Sequence, residues 1–211
     1  LRSVEIRNAH AFWADPEKPT YGWLSEARFG GGLLGALGSH NVDMVGFLTG
    51  QGVQAVEGQA WTMVPERRDA QNVSRKVTAD DACSFLLTLD TGVRARIDIT
   101  GGTWWDESII RVHGSRGSVS LEASGIRLRR AGAETETLAP DPGADWTVTD
   151  PDIRKPLFHR LLDRFARRCD GETVPDLATL AEGVAVMQVL DAVRAGAAGS
   201  TWGGASSSSA D

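Results

Sequence analysis

Apolar and polar positions along this chain follow two periods, and the change from one to the other outlines its elements. Val4 and Ile6 alternate with Glu5 and Arg7, which predicts a strand within Ser3 to Phe12. Val53 to Val64 reads as a second strand. After Asp80-Asp81, residues Cys83, Phe85, Leu87 and Leu89 point one way, and Asp90-Thr91-Gly92 makes a turn. The clearest alternation follows, with Val93, Ala95, Ile97 and Ile99 set against Arg94, Arg96, Asp98 and Thr100. One side of that strand is apolar and the other polar, as in an antiparallel sheet with one open face. Glu107 to His113, Ser118 to Glu122 and Ile126 to Arg130 are three further strands, joined by glycine turns into a meander.

Three stretches have helical spacing. From Gly30 to Gly50, residues Leu33, Leu34, Leu37, Met44, Val45 and Leu48 fall on one arc at about 3.6 residues per turn. Ile153 to Arg168 is amphipathic, with Leu157, Leu161 and Phe165 flanked by Phe158, Leu162 and Cys169. A last helix is predicted to start at Pro175-Asp176, with Leu177, Leu180, Val184, Met187 and Asp191 at helical spacing. Trp13 to Phe29 and Pro65 to Ala79 read as polar loops, and Ala131 to Asp152, with Trp146, reads as a connection. Ser200 to Asp211 reads as a flexible Gly/Ser tail. The sum is an α+β domain over residues 1–199: a mostly antiparallel, open-faced β-sheet with helices packed on one face.

Composition narrows the function classes. The 211 residues carry a net charge of −6, which disfavours nucleic acid and anionic membranes as main partners. The basic clusters Arg67-Arg68, Arg127 to Arg130 and Arg164 to Arg168 are short and read as solvated faces. Cys83 and Cys169 lie in apolar patterns and are expected to be reduced, buried thiols of a cytoplasmic protein. No apolar run is long enough for a membrane span, and no signal peptide is visible.

The stretch from Gly30 to Gly50 holds the candidate chemistry. An imidazole titrates near neutral pH, so His40 is the first candidate for proton transfer. Asp43 follows three residues later on the same side of the helix, where it can bind a substrate hydroxyl or orient the imidazole. Asn41 offers an amide at the same edge. Gly30 to Gly32 read as a helix start pressed against a neighbour, where free amides would also suit a cofactor or substrate oxygen. Arg28, just before the glycines, is a candidate clamp for an anionic group. Trp104, beside Trp105 between two strands, can stack on a sugar ring or cover an interface. His40 and Asp43 alone make no metal site, and no further ligand cluster accompanies them. His10, His113 and His159 read as structural.

Gly-Gly-Gly at residues 30–32, then Gly38-Ser39-His40-x-x-Asp43 and an apolar turn ending at Gly50, resembles the helix that opens the catalytic half of the Gfo/Idh/MocA oxidoreductases. That family uses NAD or NADP to oxidise or reduce sugars, polyols and related compounds. The resemblance implies a catalytic role for His40 and a sheet face through which subunits form a homodimer or homotetramer. Ala36 stands where the family pattern has an Asp that assists the His. Glu17-Lys18-Pro19 resembles the family's catalytic Lys motif, but it sits in a polar loop, and we read it as coincidence. No Gly-x-Gly-x-x-Gly follows a strand, so the dinucleotide-binding Rossmann domain is expected elsewhere in a longer protein. Two other readings stay open: a non-catalytic sugar-binding or assembly module, and a relative that uses NAD in glycoside cleavage.

Overall fold

A computed structural model describes residues 1–139, 154–175, 177–196 and 200–201. Its main feature is one nine-stranded sheet. Strand β1 is Ser3–Ala9, β2 is Val53–Trp61, β5 is Ala82–Leu89 and β6 is Arg94–Thr100. A second group follows, with β7 at Glu107–His113, β8 at Gly117–Glu122, β9 at Gly125–Arg130 and β10 at Thr135–Leu138. The strand order is β10-β9-β8-β7-β1-β6-β5-β2-β11, where β11 is Ser200–Thr201. All pairings are antiparallel except that of β1 with β6. The architecture is therefore the α+β, mostly antiparallel sheet that the alternation predicts.

The first strand ends up in the middle of the sheet. β2 lies three places away from β1 and runs parallel to it, so the chain must cross the sheet between them. That crossover contains helix α1, Ser39–Thr49. Helix α3, Leu180–Arg194, packs beside α1 and over β2. Together they cover the side that carries Val4, Ile6, Phe85, Leu87, Ala95 and Ile97, and this is the core. Helix α2, Arg154–Cys169, has the predicted amphipathic sequence, but its large apolar side chains Leu157, Phe158, Leu161, Leu162 and Phe165 are all exposed.

Several expectations are corrected. Leu34–Gly38 forms a π-helical turn ahead of α1. A π turn holds more residues per turn than an α-helix, so it slips the phase of everything after it. Leu33, Leu34 and Val45 are buried as predicted, but beyond the slip Val42 also faces the core while Met44 and Leu48 face outward. In α3 the buried side chains are Val189, Leu190, Ala192 and Val193, whereas the predicted stripe of Leu180, Val184 and Met187 is exposed. Its start is set by a capping box, in which Thr179 Oγ1 accepts from the Glu182 amide and the Glu182 carboxylate accepts from the Thr179 amide at 2.6 Å. Pro65 to Ala79 is not only loop: β3, Glu66–Arg68, pairs with β4, Ser74–Lys76. Cys83 is buried, and burial pushes its thiol pKa up, but Cys169 is exposed at the end of α2. Ser200–Thr201, placed by composition in the tail, pair with Ala55 and Val56. Trp146 and residues 202–211 lie outside the described residues.

Arg67 is the largest departure from the surface reading. It is 2% exposed and its guanidinium pairs with the Asp81 carboxylate at 2.6 Å. It also donates to Ser25 Oγ at 3.0 Å and lies 3.7 Å above the centre of the Trp13 ring. Burial lowers the Arg67 pKa, and the facing Asp81 opposes that shift. Asp81 in turn accepts from the Met63 and Val64 amides. One buried ion pair thus ties the β3–β4 hairpin, the start of β5 and the 10–32 segment together. Trp13, expected in a polar loop, is buried against Gly101, where any Cβ would come within 2.6 Å of its ring.

Candidate functional site

The site is organised by the way the chain enters α1. Gly30 has φ +72° and ends a short 3-10 turn, Ala27–Phe29. Next the backbone passes between two neighbours. A Cβ at Gly31 would lie 2.5 Å from the Trp23 carbonyl, and one at Gly32 would lie 2.2 Å from Asp80 Oδ1. Gly32 also has φ +112°, a conformation that side chains disfavour. These glycines are therefore needed for a close approach, as their spacing suggests. The neighbour is the protein itself. The Gly31 and Gly32 amides donate to the Glu26 and Leu24 carbonyls, and the Leu33 amide donates to the Asp80 carbonyl at 3.1 Å. The Leu34 amide donates to Asp80 Oδ2 at 2.7 Å. The four amides from Gly31 to Leu34 are all satisfied internally and offer nothing to a ligand oxygen. Burial raises the Asp80 pKa, and the bond from Leu34 opposes the rise.

Past the π turn, His40 and Asp43 line one groove, together with Ser39 and residues of α3. The groove has a volume of about 730 Å³. Its α3 wall carries apolar Leu180, Val184 and Met187 and polar Thr179, Gln188 and Asp191. The packing of α1 on α3 builds it, so most of its lining comes from α3 and the residues just before it, far along the chain. His40 is exposed, and among the described residues its ring has no hydrogen-bond or ion-pair partner. Asp191 is held by Arg194 at 2.8 Å. Among the described residues the lining includes two carboxylates and no Lys or Arg. Such a wall does not fit a dinucleotide pyrophosphate, which seeks cations or free amides. It does suit a neutral molecule with hydroxyl edges and apolar faces.

The other candidates lie apart from the groove lining. The Asn41 amide donates to Asn8 Oδ1 at 2.6 Å, and Asn8 donates to Ser108 Oγ at 3.0 Å. This chain fixes α1 over β1 and β7. Arg28 pairs with Glu26 at 2.6 Å and covers the Phe29 ring. Trp104 is 74% exposed in the segment between β6 and β7. Lys18 is exposed in the loop, where Glu17 pairs with Arg68. Ala36 is half-buried in the π turn and is not part of the groove lining. Among the described residues no group of three metal-ligating side chains comes together.

The α3 residues of the groove and the role of Asp80 were not anticipated. Thr179 to Glu182 has the spacing of a capping box, and that signal would have placed the start of α3 correctly. Nothing local marks Asp80, because the partner of its carboxylate, Leu34, lies 46 residues earlier.

Comparison with known proteins gives the class. The profile of the Gfo/Idh/MocA C-terminal domain matches residues 2–120. The chain belongs to the Gfo/Idh/MocA oxidoreductase family. Its relatives include glucose-fructose oxidoreductase domain-containing protein 2 of Mus musculus, 32% identical over 97 residues, which are 46% of this chain and 25% of that protein. The Xenopus tropicalis protein of the same description is 24% identical over 210 residues, covering 90% of this chain and 54% of its own. Among solved structures, an oxidoreductase domain protein from Kribbella flavida superposes with a TM-score of 0.75 at 25% identity, over 91% of this chain and 56% of that one. Levoglucosan dehydrogenase in complex with NADH and L-sorbose shares the fold at 19% identity and a TM-score of 0.76, over 91% of this chain and 55% of its own. This chain thus spans between a quarter and little more than half of these proteins.

Proposed function

We propose that residues 1–199 form the substrate-binding and oligomerising half of an NAD(P)-dependent oxidoreductase that acts on a sugar, polyol or related hydroxy compound. The observation that carries this reading is His40: an exposed imidazole, without a partner among the described residues, on the wall of a groove of mixed polarity whose described lining holds no Lys or Arg. Oxidation of an alcohol releases a hydride and a proton, and a nicotinamide is the group that takes the hydride. The part of this chain is to bind and orient the alcohol and to move the proton. His40 accepts it at a ring nitrogen, and Asp43, one turn further along the same helix, holds a neighbouring hydroxyl. Asp43 and Asp191 keep two carboxylates near the imidazole, although Ala36 supplies none. The dinucleotide itself belongs to another part of the parent protein.

The open side of the sheet supports the oligomer. Glu5, Arg7, Arg96, Asp98, Glu107 and Arg111 surround a shallow depression there, with Arg7 and Glu107 3.2 Å apart. Mixed charges in such an array can pair with a second copy in a two-fold arrangement. Ala36 favours the second reading, a sugar-binding or assembly module without turnover. The fold is also shared with a super-repressor mutant of Gal80p from Saccharomyces cerevisiae, at a TM-score of 0.71 and 18% identity.

One experiment separates the two. The full-length parent protein is supplied with NAD or NADP and a panel of sugars and polyols, and the absorbance of the reduced cofactor is followed. Turnover is expected, and His40→Ala should lower it by roughly 10²- to 10⁴-fold with folding intact. Cofactor binding without turnover on any member of the panel would favour the second reading.

A further inference from the structure

Asp80 and Asp81 are adjacent, yet they face different tasks. Asp81 turns to the buried Arg67 and to the Met63 and Val64 amides. Asp80 turns to the start of the helix that carries His40. Its carbonyl accepts from the Leu33 amide, and its carboxylate accepts from the Leu34 amide at 2.7 Å. The same carboxylate fills the space that a Gly32 side chain would need. The π turn begins at Leu34, the residue so held. A π turn is a rare single-turn insertion, and its extra residue sets the phase of the helix that follows. Relaxing it to α geometry would turn every later residue by about one residue's rotation, roughly 100°. His40 and Asp43 would then leave the groove wall. At the other side of the turn, Asn41 fixes α1 to Asn8. The turn is therefore held at both ends, and only the first end depends on a carboxylate.

We propose that Asp80 is a positioning residue for His40: it pins the first residues of the π turn so that the imidazole faces the groove between α1 and α3. This rests on the reading of His40 as the proton-transfer group. It goes beyond that reading by assigning the orientation of the ring to a carboxylate on a different strand connection, outside the groove.

The test uses the full-length protein and three variants: Asp80→Ala, Asp80→Asn and Asp90→Ala. The Asp80→Asn side chain keeps an oxygen that can accept from the Leu34 amide. Asp90→Ala is the control, since Asp90 accepts from the Gly52 amide at 2.7 Å beyond the other end of α1. Two readouts are taken. The first is the position of the His40 ring resonances, assigned with His40→Gln. Asp80→Ala should shift or split them, Asp80→Asn should restore them in large part, and Asp90→Ala should leave them unchanged. The second is turnover, where Asp80→Ala should lower kcat by roughly 100-fold, as expected for a misplaced reacting group, with a smaller change in KM. His40 resonances and kcat that are unchanged in Asp80→Ala would overturn the proposal. So would equal changes in Asp80→Ala and Asp90→Ala. If the unaltered protein turns over no alcohol, the reading of the function fails, and the ring resonances alone still decide whether Asp80 orients His40.

Discussion

The two halves of the sheet have the same alternation and very different surroundings. Across β2, β5, β6 and β1 the apolar side lies beneath α1 and α3, and Leu87 in its middle is 0% exposed. Across β7 to β10 the same side continues in register: Ile6 faces Ile110, Ile110 faces Leu121, and Leu121 faces Ile126. No described helix covers that wing, and Leu121 is 44% exposed. Alternation therefore reports which side of a strand is apolar. It does not report what lies against that side, since the covering element comes from distant sequence.

The covered half is most sensitive at the buried pair that closes one of its ends. Arg67→Ala leaves Asp81 charged and buried without its cation, which should cost about 3–5 kcal/mol in urea unfolding. A loss below about 1 kcal/mol would mean that the pair contributes little to holding the hairpin and the 10–32 segment in place.

A matched pair of truncations tests the halves directly. Leu87→Ala should cost about 2–5 kcal/mol, because it opens a cavity in packed surroundings. Leu121→Ala removes the same atoms from a half-exposed site and should cost under about 1 kcal/mol. Equal losses would show that the wing is covered in solution, by a second copy or by another part of the parent protein.

The smallest effect concerns the start of α3, which forms one wall of the groove. The Thr179 amide bond holds the Glu182 carboxyl below its usual pKa, with the Thr179 hydroxyl assisting. A depressed carboxyl contributes stability that is present above the unfolded value of about 4.3 and is lost as pH falls through the lower folded value. The Thr179 amide resonance should therefore titrate with a midpoint below about 4.3, and this transition should vanish in Glu182→Gln. A midpoint at or above 4.3 would contradict the capping box.

Much of this protein was legible along the chain. Alternation located β1, β5, β6, β7, β8 and β9, and the glycines with Ser39-His40-x-x-Asp43 marked the helix on which the candidate site stands. β10, β3 and β4 were missed because short, polar strands have no apolar period to reveal them. Arg67 was misplaced because a charged residue goes inside only when a partner is there, and its partner Asp81 is 14 residues away. The outward turn of Met44 and Leu48 was hidden because one π turn breaks the count on which a helical arc depends.

Local sequence decided which segments become strands and helices, since side-chain period and turn chemistry act over a few residues. It also supplied the imidazole. Only the tertiary structure decided that β1 lies at the centre of the sheet, that α3 forms the far wall of the groove, and that Asp80 holds the entry to α1. These depend on contacts between residues tens of positions apart. Such contacts are chosen by burial and by the pairing of polar groups in three dimensions, and they leave no periodic trace in the order of residues.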